Sequence, residues 1–264
     1  MSGKLTVIIP CKNEIKHIVA CIQSAQEVAN EVLVADSGST DGTLEAVREI
    51  GCRLVEREYI HSGDFKNWAI PQATHEWVLV VDADERVSPE MTAEIKQLIA
   101  NPKSQDGYWI FRNNYFLGQK IRFSSWGHDS VLRLFKKEYG KYVGETDHAE
   151  VQISTGRVGK LRSKFEHYSF PSYEHYIMKL DRYTYWDARQ KHAAGIKPKY
   201  LRLYFSGPLR FLQQYIVRLG CLDGCAGFQI ATLTGYYSYL KQARLWELYY
   251  KKEPESESLN PSKT

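Results

Sequence analysis

Apolar, β-branched runs separated by polar, period-breaking stretches fill the first half of the chain, and the alternation predicts strands and helices in turn. Leu5-Thr6-Val7-Ile8-Ile9 reads as a first strand, followed by a helix around 15–25 and a second strand over 32–35. Thr40-Asp41 can cap the next helix, in which Leu44, Val47 and Ile50 keep a helical period. A short strand at 53–56, a helix over 65–73 and a strand over 77–81 follow. Ser88-Pro89-Glu90 sets a capping serine before a first-turn proline and opens a helix to about Ile99. Residues 107–115, 120–124, 130–136 and about 149–154 read as strands of a mixed, partly antiparallel region. From Tyr173 onward the pattern is helical, with breaks expected at 195–198, at Gly207-Pro208 and at 220–224. The expected class is α/β: a sheet flanked by helices over residues 1–170, a helical extension over 171–252, and a disordered tail over 253–264, rich in Ser, Glu and Pro.

Polar residues at the strand ends change this from a fold pattern into a candidate site. Glu31-Val32-Leu33-Val34-Ala35 runs into Asp36-Ser37-Gly38-Ser39-Thr40-Asp41-Gly42-Thr43, and Trp77-Val78-Leu79-Val80-Val81 runs into Asp82-Ala83-Asp84. The first strand ends in Pro10-Cys11-Lys12-Asn13-Glu14. In open α/β sheets ligands bind outside the carboxyl ends of the strands. Asp-x-Asp at such an end sets two hard oxygen ligands at one mouth, suited to a hydrated divalent ion on a diphosphate. The plainer reading, a turn in which the aspartates only cap the following helix, fits Asp41 and Thr43 better than Asp82 and Asp84.

Val7-Ile8-Ile9-Pro10 with Asn13-Glu14, the run from Asp36 to Thr43, and Asp82-Ala83-Asp84-Glu85 together resemble glycosyltransferase family 2. Lys66-Asn67-Trp68-Ala69, Trp126-Gly127-His128-Asp129 and Leu132-Arg133-Leu134-Phe135 fit the same pattern. The resemblance covers about residues 4 to 250 and leans toward the lipopolysaccharide core and cell-envelope branch. It implies the GT-A fold, a Rossmann-like mixed sheet, and an inverting transfer of a hexose from a nucleotide-diphosphate sugar to a hydroxyl of an envelope glycan or glycolipid. By the same resemblance, Asp84 with Asp82 would hold Mg2+ or Mn2+, and His167 would be a further metal ligand. Pro10, Asn13, Glu14 and Asp36 would face the nucleotide, with UDP the leading donor because a carboxylate suits the uracil imide. Lys66 would lie on the donor side, although Phe65 stands where the family has Gln. Glu85 reads as a surface or supporting group.

The general base stays open. Related sequences carry His-Glu before a strand, whereas Glu145-Thr146-Asp147-His148-Ala149-Glu150 puts Ala149 where the Glu is expected. Asp147 is the same-face substitute under strand alternation, Glu150 takes the role if the strand bulges, and Asp129 is a third candidate. Trp126, Gly127 and His148 would lie on the acceptor side. Transfer to a peptide side chain and a catalytically silent glycan-binding module remain as alternatives, the second kept alive by Ala149.

Charge and cysteine usage refine the partners. The net charge of +4 conceals an asymmetry. Residues 1–156 hold 17 Lys and Arg against 22 Asp and Glu, and residues 157–252 hold 17 against 6. A basic, aromatic C-terminal segment suits an anionic membrane surface or a phosphorylated glycan. The stripe of Phe205, Leu209, Phe211, Leu212, Tyr215, Ile216 and Leu219, interleaved with Arg210 and Arg218, suits an interfacial helix or a contact between copies of the chain. No recognition motif accompanies the charge, so nucleic acid is not an expected partner. No apolar run approaches the ~20 residues of a membrane span, the N-terminus enters a strand at once, and five scattered cysteines read as free thiols. The expected location is the cytoplasm, with peripheral contact at the inner face of the plasma membrane.

Overall fold

A computed structural model describes residues 3–144, 149–170 and 172–251. Asp147, His148 and the tail expected over 253–264 lie outside the described residues. The chain divides into two compact units, 1–171 and 172–264.

The first unit is built on β1 (Leu5–Cys11), α1 (Ile18–Gln26), β2 (Glu31–Asp36), α2 (Thr43–Ile50), β3 (Arg53–Glu56), α3 (Ser62–Ala69) and β4 (Trp77–Val80). It continues through β5 (Glu85–Arg86), α4 (Pro89–Ala100), β6 (Gly107–Phe116), β7 (Gln119–Ile121), β8 (Ser130–Lys136), β9 (Gly140–Val143), β10 (Glu150–Ile153) and β11 (Val158–Phe170). The main sheet has the order β3-β2-β1-β4-β8-β6-β11-β5, with β7 paired to β6, while β9 and β10 form a separate ribbon. β1, β2, β3 and β4 are parallel, and β8 runs antiparallel to both β4 and β6. β6 and its parallel neighbour β11 therefore point the same way as β4. One edge collects the carboxyl ends of all six parallel strands, and every polar strand end identified above falls there.

Two apolar clusters hold the sheet. Ile18, Ile22, Met91 and Ile95 from α1 and α4 pack with Val7, Ile9, Leu79, Ile110 and Phe165. Phe65, Ala69, Tyr142 and Val151 pack with Ile8, Leu33, Val80 and Phe135. All of these are buried, and at about 25 cal/mol per Å2 their burial is the main force fixing the strand ends in place.

Several expectations are corrected. The helix expected over 65–73 is α3 followed by a 3-10 turn at Ile70–Gln72. The strand expected over 120–124 stops at Ile121, and Ser124 adopts a left-handed φ of 61°. β9 and the 13-residue β11 were not anticipated. Leu161, Phe165 and Ser169 of β11 are buried on one face with Ser163 and His167 between them, so its period-two alternation is marked by only two large apolar residues and gives a weak strand signal.

The second unit comprises α5 (Tyr173–Ala193), α6 (Tyr200–Leu212), a π-helical turn at Gln213–Val217, a 3-10 turn at Gly220–Asp223, and α7 (Gly224–Tyr250). The break expected at Gly207-Pro208 does not occur; both residues lie inside α6. Gly207 and Gly235 let α6 and α7 approach closely: a Cβ on Gly235 would stand 2.9 Å from the Gly207 carbonyl oxygen. Packing at this crossing carries the helix through a proline that would ordinarily interrupt it. Asp187 pairs with Lys191 at 2.6 Å and with Lys241 at 2.7 Å, and Asp181 pairs with Arg244, tying α5 to α7. Among the described residues no single helix is long and apolar enough to cross a membrane. Tyr200–Val217 and Gly220–Tyr250 pass that test only as a pair, bent by 74°. All five cysteines are free.

Candidate active site

The β1 and β2 ends are stitched into one rim. Asp36 is fully buried, and its Oδ1 accepts from the backbone N–H groups of Gly38 and Ser39 at 2.7 and 2.8 Å. Its Oδ2 accepts from the Ser39 hydroxyl and, at 3.3 Å, from Cys11 Sγ. Four donors fill the roughly four lone-pair positions of a carboxylate. The Cys11 thiol is pushed well above its usual range, first by burial and then by the Asp36 charge. Asn13, at a left-handed φ of 56°, donates its N–H to Ser39 Oγ, and its Oδ1 accepts from Thr40 N, both at 2.8 Å. Glu14 N–H donates to Thr43 Oγ1 at 2.9 Å, and Pro10 lies half-buried beside them, paired in register with Ala35. Asn and Asp tolerate this backbone and bond it locally, so the loops are held without regular structure.

Asp82 sits at the centre of a charge cluster. Its carboxylate meets Arg133 Nη2 at 2.6 Å, Lys66 Nζ at 3.3 Å and Arg112 Nη2 at 3.4 Å. Burial alone would raise its pKa, but Arg133, Lys66 and Arg112 together hold the carboxyl far below the usual carboxylate range. Lys66, on α3, also lies 5.3 Å over the Tyr142 ring, and Arg133 donates to the Tyr142 hydroxyl at 2.7 Å. Arg112 bridges three acids, reaching Glu85 through Nε at 2.7 Å and Asp129 through Nη1 at 3.3 Å besides Asp82. Of the two readings of Glu85, surface or supporting, the structure shows the supporting one. Glu85 is fully buried, and its Oε2 accepts from Asp82 N–H at 2.9 Å, which shapes the Asp-x-Asp turn from beneath.

Asp84 makes contacts of its own. Its Oδ1 lies 3.5 Å from His167 Nε2, and its carbonyl accepts from Tyr168 N–H at 2.9 Å. His167 Nδ1 is 2.6 Å from Asn114 Oδ1, an acceptor that suits the tautomer protonated on Nδ1, and the Ser169 hydroxyl lies 3.0 Å from both ring nitrogens. An imidazole nitrogen and a carboxylate oxygen 3.5 Å apart are two of the donor types a divalent-ion site uses. The amide behind the ring is the support such ligands usually have. The residues present thus fit a divalent cation, with Asp84 and His167 as ligands. The Asp82 oxygens are held by Arg133, Lys66 and Arg112, with His167 near enough to act on the same carboxylate. Among the described residues no group of three or more His, Cys, Asp or Glu is disposed to hold a metal.

The base candidates are separated by the fold. Asp129 stands at the start of β8 and joins the cluster through Arg112; Glu150 is exposed on the separate β9–β10 ribbon. Asp147 and His148 lie outside the described residues. Ala149 packs into the cluster around Phe65, and a Cβ on Gly63 of α3 would stand 2.8 Å from its methyl group. Trp126 is not an open platform: its ring lies 5.2 Å from Phe170 and edge-on to Phe116 at 6.0 Å, while its carbonyl accepts from Asn114 at 2.7 Å. Gly127 approaches the Arg122 carbonyl so closely that a Cβ would stand 2.1 Å from it. The sequence reading gave no role to Arg112 or Arg133. The available signal was an arginine in each of two strands otherwise rich in buried apolar residues.

Residues 6–161 match the family model described as Glycosyl transferase family 2. The chain is 26% identical over 249 residues to a lipopolysaccharide core biosynthesis glycosyltransferase of Rhizobium meliloti, LpsC, with 92% of each chain covered. It is 26% identical over 260 residues to an uncharacterised glycosyltransferase of Rickettsia typhi, covering 94% of this chain and 88% of the relative. Among solved structures it is similar to the mannosyltransferase PcManGT of Pyrobaculum calidifontis, in complex with GDP-Man and Mn2+. The TM-score is 0.54 at 20% identity, with 94% of this chain and 88% of that one covered. The architecture is the GT-A fold.

Proposed function

The chain belongs to glycosyltransferase family 2, and on that premise we propose that it transfers a hexose from a nucleotide-diphosphate sugar, UDP first, to a hydroxyl of an envelope glycan or glycolipid, inverting the anomeric centre. The observation that carries this reading is the convergence of Lys66, Arg112 and Arg133 on Asp82, at the sheet edge where the Asp84–His167 pair also lies. Arg112 also serves Glu85 and Asp129, so three cations face three carboxylates; Lys66 and Arg133, whose only carboxylate within 4 Å among the described residues is Asp82, are the pair a diphosphate would draw on. The lipopolysaccharide-core relative supports an envelope acceptor.

In this mechanism the acceptor oxygen attacks the anomeric carbon in line, the bond to the diphosphate breaks, and the hydroxyl proton passes to a carboxylate. A divalent cation held by Asp84 and His167 would neutralise the charge developing on the departing diphosphate. Lys66 and Arg133 bind the phosphates from the α3 and β8 side. Asp129 is the base we favour, because it shares Arg112 with Asp82, whereas Glu150 is exposed on the β9–β10 ribbon and has no such contact among the described residues. The loop closed by Asp36, Ser39 and Asn13 receives the nucleoside. Peripheral attachment to an anionic membrane by the second unit would bring the site to lipid-linked acceptors.

A thermal-shift screen of nucleotide sugars with and without Mn2+ tests the donor reading, since a ligand bound only by the folded state raises the melting point by mass action. Metal-dependent stabilisation by UDP-sugars, followed by UDP release on adding acceptor, is the expected result. Stabilisation without turnover for any acceptor glycan would instead favour a silent binding module.

A further inference from the structure

A second cleft of about 430 Å3 opens beside the charge cluster, lined by His17, Arg86, Tyr115, Gly118, Tyr168 and Phe170. Arg86, Tyr115 and Tyr168 are the strand neighbours of Glu85, Asn114 and His167, so alternation projects them to the other side of β5, β6 and β11. The cleft therefore shares its walls with the candidate active site without sharing its side chains. The link is short: Tyr168 N–H donates to the Asp84 carbonyl at 2.9 Å.

The cleft has the makings of a recognition site. The Tyr115 and Tyr168 rings stack at 4.8 Å with 19° between their planes, and the Arg86 guanidinium lies 5.7 Å from the Tyr168 ring. Arg86 is fixed, because its Nη1 donates to the carbonyls of Ala83 at 2.9 Å and Glu85 at 2.7 Å. Among the described residues no carboxylate lies within 4 Å of it. The acid that faces Arg86 across the β5–β11 pairing, Glu166, accepts from Asn113 Nδ2 at 2.7 Å through Oε1. His17 adds an imidazole at the opposite lip. Arg86 thus stands anchored on backbone carbonyls, opposite Glu166 in register but with no carboxylate of the described residues within 4 Å, and its setting in an aromatic cleft of ligand size suits an anion carried on a body with apolar faces.

We propose that this cleft binds an anionic sugar unit, carboxylated or phosphorylated, belonging to the acceptor at a distance from the reacting hydroxyl. Arg86 and His17 would engage the anionic group, and the tyrosine stack with Phe170 would meet the C–H face of the ring. Assigning the unit to the acceptor rests on the glycosyltransferase reading; the binding itself does not.

The test is calorimetric titration of the full chain with glucuronic acid, glucose 6-phosphate, glucose and inorganic phosphate. Arg86→Gln and Tyr168→Ala are compared, with UDP and Mn2+ titrated in parallel and thermal unfolding used to confirm folding. Wild type should bind both charged sugars at least about tenfold more tightly than glucose or inorganic phosphate. Arg86→Gln should abolish that preference, Tyr168→Ala should weaken all the sugars, and neither should alter UDP binding. Equal affinity for charged and neutral sugars, or a preference that survives Arg86→Gln, overturns the proposal. Inorganic phosphate binding as tightly as glucose 6-phosphate reduces the cleft to an anion site and overturns it too. Failure of UDP to bind wild type would sink the donor reading and leave this result standing.

Discussion

Arg133 Nη2 lies 2.6 Å from Asp82 Oδ2, and this is the shortest of three cation contacts on the first aspartate of the Asp-x-Asp turn. Removing one partner of a buried pair leaves the other charge exposed to a poor solvent, at a typical cost of about 3–5 kcal/mol. Lys66 and Arg112 remain on Asp82, so Arg133→Met should destabilise the protein by about 3 kcal/mol, the low end of that range. It should also weaken donor binding by more than about tenfold. Denaturant unfolding and UDP titration read the two effects. A stability loss with normal UDP affinity would make Arg133 a structural cation only.

The Asp84–His167 pair gives a second test, with the amide behind the imidazole as its control. Asp84→Asn should abolish metal-dependent UDP binding and transfer while the protein stays folded. Asn114→Leu frees the His167 ring and should lower Mn2+ affinity by about tenfold or more, the usual effect of losing such a support. Manganese binding followed by electron paramagnetic resonance measures this without turnover. Activity of Asp84→Asn within about tenfold of wild type rules out the metal role, because losing the counter-charge should cost several kcal/mol in the transition state.

Asp129→Asn should lower kcat by ~100-fold or more with UDP affinity unchanged, the scale of losing a general base. Glu150→Gln should leave kcat near wild type, and Asp147→Asn completes the series. A large kcat loss confined to Glu150→Gln or Asp147→Asn moves the base to the segment after Gly144. Near-normal kcat in all three places it outside this set.

What the sequence disclosed divides along physical lines. Asp82, Asp84 and Asp36 announced themselves because a polar residue closing a β-branched run is a local pattern. Arg112 and Arg133 did not, because nothing local says that β6 and β8, running antiparallel, bring those two side chains to one carboxylate. For Glu85 the sequence left surface and supporting roles open, and its pairing with Arg112 accounts for its burial in the supporting one. β11 was hidden by its lysines, arginine and glutamate, and with it the strand that carries His167 and Tyr168. Helix breaking at Gly207-Pro208 was a sound local inference that the close crossing with Gly235 overrides.

Glu31 provides a pH-dependent signature at the other end of the sheet. Its partial burial acts to raise its pKa, but hydrogen bonds from Thr6, Thr74 and Arg53 prevail and bring it down to about 2 from 4.5. A carboxyl with a depressed folded-state pKa contributes stability that is present above the unfolded value and is lost as pH falls through the folded one. Glu31→Gln should therefore lower Tm at pH 7, and the difference from wild type should shrink between about pH 4.5 and pH 2. A difference that persists unchanged at pH 2 would assign the effect to shape and not to charge.

The second unit should bind anionic membranes reversibly. Leu201, Tyr204, Leu209, Ile216, Val217 and Leu222 are all exposed, and Val217 reaches 75%. Arg202, Arg210 and Arg218 are interleaved with them on α6 and just beyond it. An apolar face exposed to this extent beside basic side chains is the composition of a segment that lies in a lipid interface. Each basic residue near an anionic surface contributes roughly 1 kcal/mol, and apolar burial adds to it, so a few contacts suffice. The electrostatic part should weaken with salt, since charges are screened beyond about 10 Å at 0.1 M. Sedimentation with anionic and neutral liposomes across a salt series should show pelleting with the anionic lipid that falls as salt rises. Paired substitution of Leu209 and Ile216 by Ser should reduce pelleting at every salt concentration, because it removes the part that salt does not screen. Equal pelleting with both lipids, or none with either, would assign the basic residues to acceptor phosphates or to contacts between copies of the chain.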